Sequence, residues 1–270
     1  MKILLNNGDL NEALKEVSNL GFVPTMGSLH EGHISLIKRS NKECKKTIVS
    51  IFINPTQFNN KNDYQNYPRN FKKDLSILKK LKVDLVYLPK KNDIYGSKEK
   101  IKIRLNKFDK ILCAKFRKGH FEGVIDVMNR LTALIKPNKI FMGEKDYQQI
   151  HLVKKYIQNR YNSKIVSCRT IRDNNKLALS SRNSLLKKKE LIKAAKFANT
   201  IFSLKKKLIK NRNIEKFLMN KKKELSKSFK VDIEYLELRN NKDLKKAKKT
   251  KNSKIFFAYY INQVRLIDNF

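Results

Sequence analysis

The chain has 270 residues, 40% of them hydrophobic, and its 62 Lys and Arg against 24 Asp and Glu give a formal net charge of +38. This length and apolar content predict a folded protein of two domains, since one domain takes about 150 residues. No apolar run reaches the roughly 18–20 residues of a membrane span, and residues 1–7 lack the apolar core of a signal peptide, so a cytoplasmic protein is expected.

Strand and helix patterns alternate through the first two-thirds of the chain. Apolar runs typical of parallel strands that are buried on both faces lie at 21–26, 47–53, 83–88, 139–143 and 165–171. Helical spacing of apolar residues occurs at 10–17, 68–81, 124–135 and 150–157. This order predicts an α/β fold with a Rossmann-like, doubly wound parallel sheet over residues 1–172.

The composition changes after Arg172. A long Lys-rich helix is predicted over 184–210 and a second helix over 213–226. Strand patterns follow at 231–238, 255–261 and 264–267. A smaller C-terminal α+β domain over 173–270, placed as a lid, fits this order.

Charge and cysteine usage narrow the possible partners. The basic residues are scattered instead of forming a stripe with aromatic side chains, which disfavours specific nucleic-acid binding. Their excess is mostly Lys and resembles A/T-rich codon usage. Cys44, Cys113 and Cys168 are widely spaced and odd in number, which indicates reduced thiols in a reducing compartment.

Two of the four histidines, His30 and His33, lie three residues apart directly after the strand at 21–26. Residues with this spacing share one face of a helix. A helix N-terminus offers unpaired backbone N–H groups and a positive dipole end, so the turn suits a polyanion such as a nucleotide triphosphate. A surface pair or a zinc half-site stays open as the alternative, although no neighbouring Cys or third His completes a metal set.

Polar residues also follow the other predicted strands. Asn54 and Gln57 follow 47–53 and carry amides that both donate and accept hydrogen bonds. The segment 143–149 offers a glycine for close backbone approach, a lysine for phosphate and an aspartate for a ribose hydroxyl. The segment 177–183 sets hydroxyls beside a guanidinium, which suits phosphate oxygens. Ordinary strand-exit turns and helix caps are the alternative interpretation of each segment.

Taken in order, five segments resemble the successive motifs of the pantothenate synthetase family. They are PTMGSLHEGH (24–33), SIFINPTQF (50–58), HFEGV (120–124), FMGEKDYQQ (141–149) and LALSSRN (177–183). The resemblance covers roughly residues 20–185, and the Lys-rich C-terminal third adds little to it. The family belongs to the nucleotidyltransferase superfamily with a His-x-x-His turn.

The resemblance implies ATP-dependent condensation of (R)-pantoate with β-alanine to pantothenate, AMP and diphosphate through a pantoyl adenylate. It also implies Mg²⁺ with the nucleotide and a homodimer as the assembly.

Site residues follow from the resemblance position by position. It makes His30 and His33 the catalytic pair that stabilises charge on the phosphates, with His33 as proton donor. Pantoate and β-alanine binding falls to Asn54, Gln57 and Gln149. The implied ATP-binding residues are Met26, Gly27, Ser28, Leu29, His30, Glu31, Gly32, His33, Gly143, Glu144, Lys145, Asp146, Ile171, Leu179, Ser180, Ser181 and Arg182.

Some positions depart from the family pattern. Ala114 replaces a common glycine, Asp126 a small hydroxyl residue and Leu179 a common methionine. Lys73 beside Asp74 alters an acidic stretch that can help to hold the metal, so the protein ligands of Mg²⁺ are left open. Two other functions also stay open, namely another nucleotidyltransferase of the superfamily and an RNA-binding protein that uses the positive charge.

Overall fold

A computed structural model describes residues 1–96, 103–209, 211 and 213–270. The contacts divide the chain into two compact units. The first comprises Met1–Glu144 and Gln149–Arg169, and the second comprises Lys145–Gln148 and Thr170–Phe270.

The first unit is built on a parallel sheet, which confirms the predicted fold class. In the described ranges this sheet has six strands in the order β1-β4-β3-β2-β5-β6. Every recorded strand pair in it is parallel. The strands are β1 (Lys2–Leu4), β2 (Leu20–Thr25), β3 (Lys46–Ile51), β4 (Leu85–Tyr87), β5 (Lys139–Gly143) and β6 (Lys164–Cys168).

Helices connect these strands and cover the sheet. They are α1 (Asn7–Leu14), α2 (Glu31–Glu43), α3 (Lys61–Gln65), α4 (Phe71–Lys80), α5 (Lys91–Tyr95), α6 (Cys113–Phe116), α7 (His120–Ile135), α8 (Tyr147–Val153) and α9 (Asn159–Tyr161). A π-helical turn at Lys154–Gln158 joins α8 to α9, and short 3-10 turns lie at Pro55–Gln57, Lys107–Asp109 and Glu144–Asp146. Val23, Ile37, Val49, Val86 and Phe141 are buried in one core cluster of this unit, because both faces of a parallel sheet are covered.

The second unit has a small antiparallel sheet in the order β7-β8-β9, with β7 (Asp232–Asn240), β8 (Ser253–Ile261) and β9 (Val264–Asn269). Helices α10 (Lys188–Leu208) and α11 (Ile214–Phe229) bury their apolar faces in the same core as this sheet. A 3-10 turn at Ser181–Leu185 precedes α10. The predicted C-terminal α+β architecture is confirmed.

Several predicted boundaries shift for local reasons. The helix predicted from 68 begins at Phe71, because the Asn70 side chain accepts from the backbone N–H of Lys73 and caps it. The helix predicted from 184 begins at Lys188, because residues Ser181–Leu185 form a 3-10 turn and the Glu190 side chain accepts from the Lys187 N–H at the helix start. Its predicted end at Lys210 lies outside the described residues. None of the helices within the described ranges has both the length and the apolar character needed to cross a bilayer.

All three cysteines are buried. Burial raises the pKa of the Cys44 and Cys168 thiols, which keeps both protonated and unreactive at neutral pH.

Candidate active site

The carboxyl ends of β3, β2 and β5 lie side by side at one edge of the parallel sheet. From β2 the chain proceeds to β3 and β4 on one side, whereas β5 and β6 lie on the other side. A parallel sheet binds its ligands in the crevice at such a reversal. The predicted histidine turn follows β2, the Asn54–Gln57 pair follows β3, and Gly143 is the last residue of β5.

His30 and His33 form a reciprocal cap at the start of α2. The backbone N–H of Gly32 donates to Nδ1 of His30 over 3.1 Å, and the backbone N–H of His30 donates to Nδ1 of His33 over 3.3 Å. The ring centroids are 4.2 Å apart, so the two imidazoles are neighbours, as predicted. Because Nδ1 accepts in both rings, these contacts assign the proton of each neutral ring to Nε2. Nε2–H of each ring is then a donor, and a phosphate oxygen can accept a hydrogen bond from such a group.

Gly32 makes this cap possible. A Cβ atom at position 32 would lie 2.7 Å from Cε1 and 2.9 Å from Nδ1 of His30. Any larger residue therefore displaces the His30 ring from its capping position. This explains the glycine within the His-x-Gly-His spacing in physical terms.

Asp74 holds the turn that precedes the histidines. Gly27 and Ser28 both have positive φ angles, +79° and +51°, and this conformation is unfavourable for Ser28. The buried Asp74 carboxylate accepts from the backbone N–H groups of Ser28 and Leu29, each over 2.8 Å. A side chain from α4 therefore binds these two N–H groups, which lie in the turn before the start of α2 at Glu31.

Asn54 and Gln57 lie against Met26 at the end of β3. The Gln57 amide is buried, its Nε2 donates to Sδ of Met26 over 2.9 Å, and its Oε1 accepts from Nδ2 of Asn54 over 3.3 Å. Asn54 also caps the 3-10 turn Pro55–Gln57 by accepting from the Thr56 N–H. The structure thus brings together three of the predicted substrate-binding residues.

A second layer of residues fixes this amide pair against α7. Tyr95 donates to Oδ1 of Asn54 over 2.8 Å, and burial raises the pKa of the Tyr95 hydroxyl, which keeps it protonated as a donor. Nδ2 of Asn54 donates to the Gly123 carbonyl oxygen over 3.1 Å. A Cβ atom at Gly123 would lie 2.5 Å from the Thr56 carbonyl oxygen, so only glycine permits this approach.

His120 and Arg117 contact the backbone of Gln57. Nη1 of Arg117 is 2.9 Å from Nε2 of His120, and Nδ1 of His120 is 2.7 Å from the Gln57 carbonyl oxygen. Since arginine is only a donor, His120 accepts at Nε2 and donates from Nδ1. The sequence singled out the motif at 120–124 without a role for His120. The one signal in the sequence for such a role is that a polar residue, His120, begins a strongly apolar helix.

The predicted site residues at 143–149 are divided between the two units. Gly143 ends β5, and apart from its two chain neighbours no described atom lies within 4 Å of a Cβ built on it. Glu144 belongs to the first unit, and Gln149 is half-buried in α8. Nζ of Lys145 is 3.4 Å from Oδ1 of Asp146 within the second unit.

Ile171 and the segment 179–182 also belong to the second unit. The Leu179 N–H donates to the Ile171 carbonyl oxygen over 3.0 Å, and the Ser180 hydroxyl accepts from the Arg182 N–H over 3.3 Å. Ser181 is buried at the start of the 3-10 turn.

Asp126, which departs from the family pattern, forms an ion pair on α7. Nε of Arg130 lies 3.0 Å from Oδ1 of Asp126.

The sequence leaves the protein ligands of Mg²⁺ open. Over the described ranges, no group of three or more His, Cys, Asp or Glu side chains is arranged to hold a metal ion. Asp74, in the stretch considered for Mg²⁺, already accepts two backbone hydrogen bonds. Magnesium is usually held by one or two carboxylates together with substrate phosphates, so these residues fit a nucleotide-borne Mg²⁺ better than a resident ion.

Comparison with known proteins gives consistent matches along the chain. Residues 2–270 match the family model for pantoate-beta-alanine ligase. A pantothenate synthetase from Francisella tularensis subsp. novicida is 41% identical over 97% of this chain and 92% of its own length.

Solved structures agree with this match. The pantothenate synthetase of Thermus thermophilus has a TM-score of 0.92 at 29% identity and covers 100% of this chain and 99% of its own. A pantoate-beta-alanine ligase from Francisella tularensis, solved in complex with beta-gamma ATP and beta-alanine, has a TM-score of 0.85 at 38% identity. That match covers 100% of this chain and 97% of the other.

Proposed function

The chain belongs to the pantoate–β-alanine ligase family, and we propose that it condenses (R)-pantoate with β-alanine while converting ATP to AMP and diphosphate. One observation carries this proposal. The paired Nε2–H donors of His30 and His33 follow β2, and the Asn54–Gln57 amides follow its neighbour β3. Donors for a polyphosphate therefore stand beside amides that suit a small hydroxy acid.

The reaction is proposed to take two steps. A pantoate carboxylate oxygen attacks the α-phosphorus of ATP, and the bond from that phosphorus to the bridging oxygen breaks to release diphosphate. The amine of β-alanine then attacks the carbonyl carbon of the pantoyl adenylate, the acyl C–O bond breaks to release AMP, and the nitrogen loses a proton. A carboxylate is already a competent nucleophile, so the protein contributes positioning and electrostatic stabilisation.

The histidines are assigned to the phosphates. In each ring Nδ1 accepts a backbone N–H, so Nε2–H is the donor for charge that develops on the phosphate oxygens. His33 is proposed as the proton donor of the pair. Because the backbone fixes both rings, little reorganisation is needed when the negative charge develops.

Gln57, Gln149 and Asn54 are assigned to the small substrates. The Gln57 and Gln149 amides are proposed to bind the hydroxyl and carboxylate oxygens of pantoate, since an amide supplies both a donor and an acceptor. The contacts from Met26 and Asn54 support this role, because they hold the buried Gln57 amide in one orientation.

Nucleotide binding is assigned to the remaining residues. The backbone of Gly143 and Glu144 is proposed to approach the adenosine, with Asp146 at the ribose and Lys145 at phosphate. Ile171 is proposed to contact adenine through its backbone, and residues 179–182 to cover the triphosphate. Turn residues 26–29, Glu31 and Gly32 complete the proposed set.

Magnesium is proposed to arrive with the nucleotide and to be held mainly by its phosphates, where it offsets their charge. A homodimer is proposed as the assembly, on the strength of the family resemblance. A cytoplasmic location is proposed as well, which agrees with three buried thiols.

The direct test is a product assay with purified protein, ATP, Mg²⁺ and pantoate, with and without β-alanine. Mass spectrometry is expected to show pantothenate only when all three substrates are present, with AMP in equal amount. Omission of pantoate is the control, because a nucleotidyltransferase for another substrate would ignore it. Failure to form pantothenate while the protein still binds ATP would overturn the assignment of substrates but not the nucleotide site.

A further inference from the structure

The C-terminal strand β9 ends in buried polar residues that the proposed mechanism does not use. Asp268 and Asn269 are 6% and 2% exposed. A buried carboxylate requires partners, and Asp268 has them. Nη1 and Nη2 of Arg172 lie 2.5 Å and 2.9 Å from its two oxygens, and the Asn269 N–H donates to it over 2.7 Å. Burial raises the pKa of the Asp268 carboxyl, and the Arg172 guanidinium opposes that shift.

Arg172 connects this carboxylate to the loop that carries proposed nucleotide contacts. Its guanidinium also donates to the carbonyl oxygens of Lys176 and Asn269, each over 2.9 Å, and lies 4.1 Å from the centre of the Phe270 ring. Ile171 immediately precedes Arg172, and its carbonyl oxygen accepts from the Leu179 N–H. The Arg172 guanidinium therefore connects the loop between Ile171 and Leu179 to the C-terminal residues Asp268 and Asn269.

Asn269 makes the corresponding contact to the segment after β5. Its Nδ2 donates to the Lys145 carbonyl oxygen over 3.0 Å. Tyr147, two residues on, donates to the Asn241 carbonyl oxygen over 3.2 Å and packs edge-on against Phe256. The backbone that presents Lys145 and its neighbour Asp146 is thus held by residues in the C-terminal sheet and directly after β7.

We propose that Asp268 and Asn269 are positioning residues for nucleotide binding. Asp268 acts through Arg172 on the loop that carries Ile171 and Leu179, and Asn269 acts on the backbone of Lys145. Neither residue needs to touch ATP in this role. The proposal rests on the proposed function, because the nucleotide contacts are assigned there.

The chain offers a matched control in the same sheet. Glu234 on β7 and Arg265 on β9 form a second carboxylate–guanidinium pair, which is partly buried, with Nη2 2.5 Å and Nε 3.0 Å from Oε2. Their side chains are 10% and 12% exposed. This pair joins β7 to β9 within the sheet. Glu234→Gln therefore removes a comparable ion pair away from the proposed nucleotide contacts.

The experiment compares Asp268→Asn, Asn269→Ala and Glu234→Gln with the unmodified chain. The dissociation constant of ATP is measured by calorimetry, KM is measured for ATP and for pantoate, and Tm is measured for each protein. Asp268→Asn and Asn269→Ala are expected to weaken ATP binding about tenfold, with the KM for pantoate unchanged. Glu234→Gln is expected to lower Tm and to leave ATP binding unchanged.

Equal ATP affinity in all three variants, whatever their Tm, would show that the two residues only stabilise the fold and would overturn the proposal. If Asp268→Asn does not fold, Arg172→Lys, which keeps the charge and loses the two-pronged contact, takes its place beside Asn269→Ala. Calorimetry with ATP alone distinguishes a failure of the positioning proposal from a failure of the proposed function. An unmodified chain that binds ATP but forms no pantothenate contradicts the proposed function and leaves this test valid, whereas a chain that binds no ATP contradicts both.

Discussion

The Nδ1 atom of His120 donates a hydrogen bond to the backbone carbonyl oxygen of Gln57 across 2.7 Å. Arg117 fixes the tautomer by donating to Nε2 of the same ring. The imidazole therefore holds the turn that carries Gln57, a proposed pantoate ligand. Loss of this contact is expected to weaken pantoate binding more than ATP binding.

Replacement of His120 by Phe is expected to raise the KM for pantoate about tenfold and to leave the KM for ATP unchanged, because the Gln57 turn loses its donor. Steady-state kinetics with each substrate varied in turn measure this split. Tyr161→Phe is the control, since it removes a hydrogen bond to Asn129 on the same helix without contacting the turn. An equal rise in both KM values would contradict the positioning role.

Replacement of Gly32 by Ala is expected to reduce the rate of diphosphate release on the order of 10²-fold, because the new methyl group displaces the His30 ring. Rapid-quench assays with ATP and pantoate measure that rate, and a thermal melt measures the loss of the cap. A variant with the normal rate would show that the capped ring geometry is irrelevant to the chemistry.

Replacement of Gly143 by Ala tests close approach of the nucleotide to the backbone. Apart from the two chain neighbours, no described atom lies within 4 Å of the added Cβ, so Tm is expected to stay the same or to rise slightly. The KM for ATP is expected to rise several-fold if adenosine lies against this backbone. Unchanged ATP affinity in a stable variant would remove Gly143 from the proposed site.

Replacement of Asp74 by Asn tests the turn at Gly27 and Ser28. The amide keeps one acceptor oxygen and loses the charge, so the free energy of unfolding is expected to fall by about 1–3 kcal/mol. Denaturant titration measures this loss, and Lys73→Ala serves as a control at the adjacent position. The dependence of the rate on Mg²⁺ concentration is expected to match that of the unmodified chain. A large increase in the Mg²⁺ requirement would instead identify Asp74 as a metal ligand.

The sequence predicted the parts of the fold that depend on local pattern. The run at 47–53 is rich in β-branched residues, and such runs form strands that are buried on both faces. The short strand β1 (Lys2–Leu4) was not predicted, because three residues carry too little periodicity and its pairing with β4 is made by distant residues. The helix predicted over 150–157 begins at Tyr147 and becomes π-helical from Lys154, a change in hydrogen bonding that apolar spacing does not encode.

The same limit applies to the candidate site. The motifs predicted the residues at the strand ends, because each motif is contiguous in sequence. The supporting contacts join residues that are far apart: Asp74 is 46 positions from Ser28, and His120 is 63 positions from Gln57. Hydrogen bonds over such separations depend on tertiary packing, and no periodicity in one sequence reports them. The roles assigned to individual site residues stay predictions.

The most direct test of the proposed mechanism is isotope exchange between labelled diphosphate and ATP. With an adenylate intermediate, exchange is expected to require pantoate and to proceed without β-alanine, because the first step is complete and reversible before the amine binds. His33→Ala is expected to slow this exchange on the order of 10²-fold. Exchange that needs β-alanine, in a preparation that forms pantothenate, would contradict the two-step mechanism and favour a concerted one.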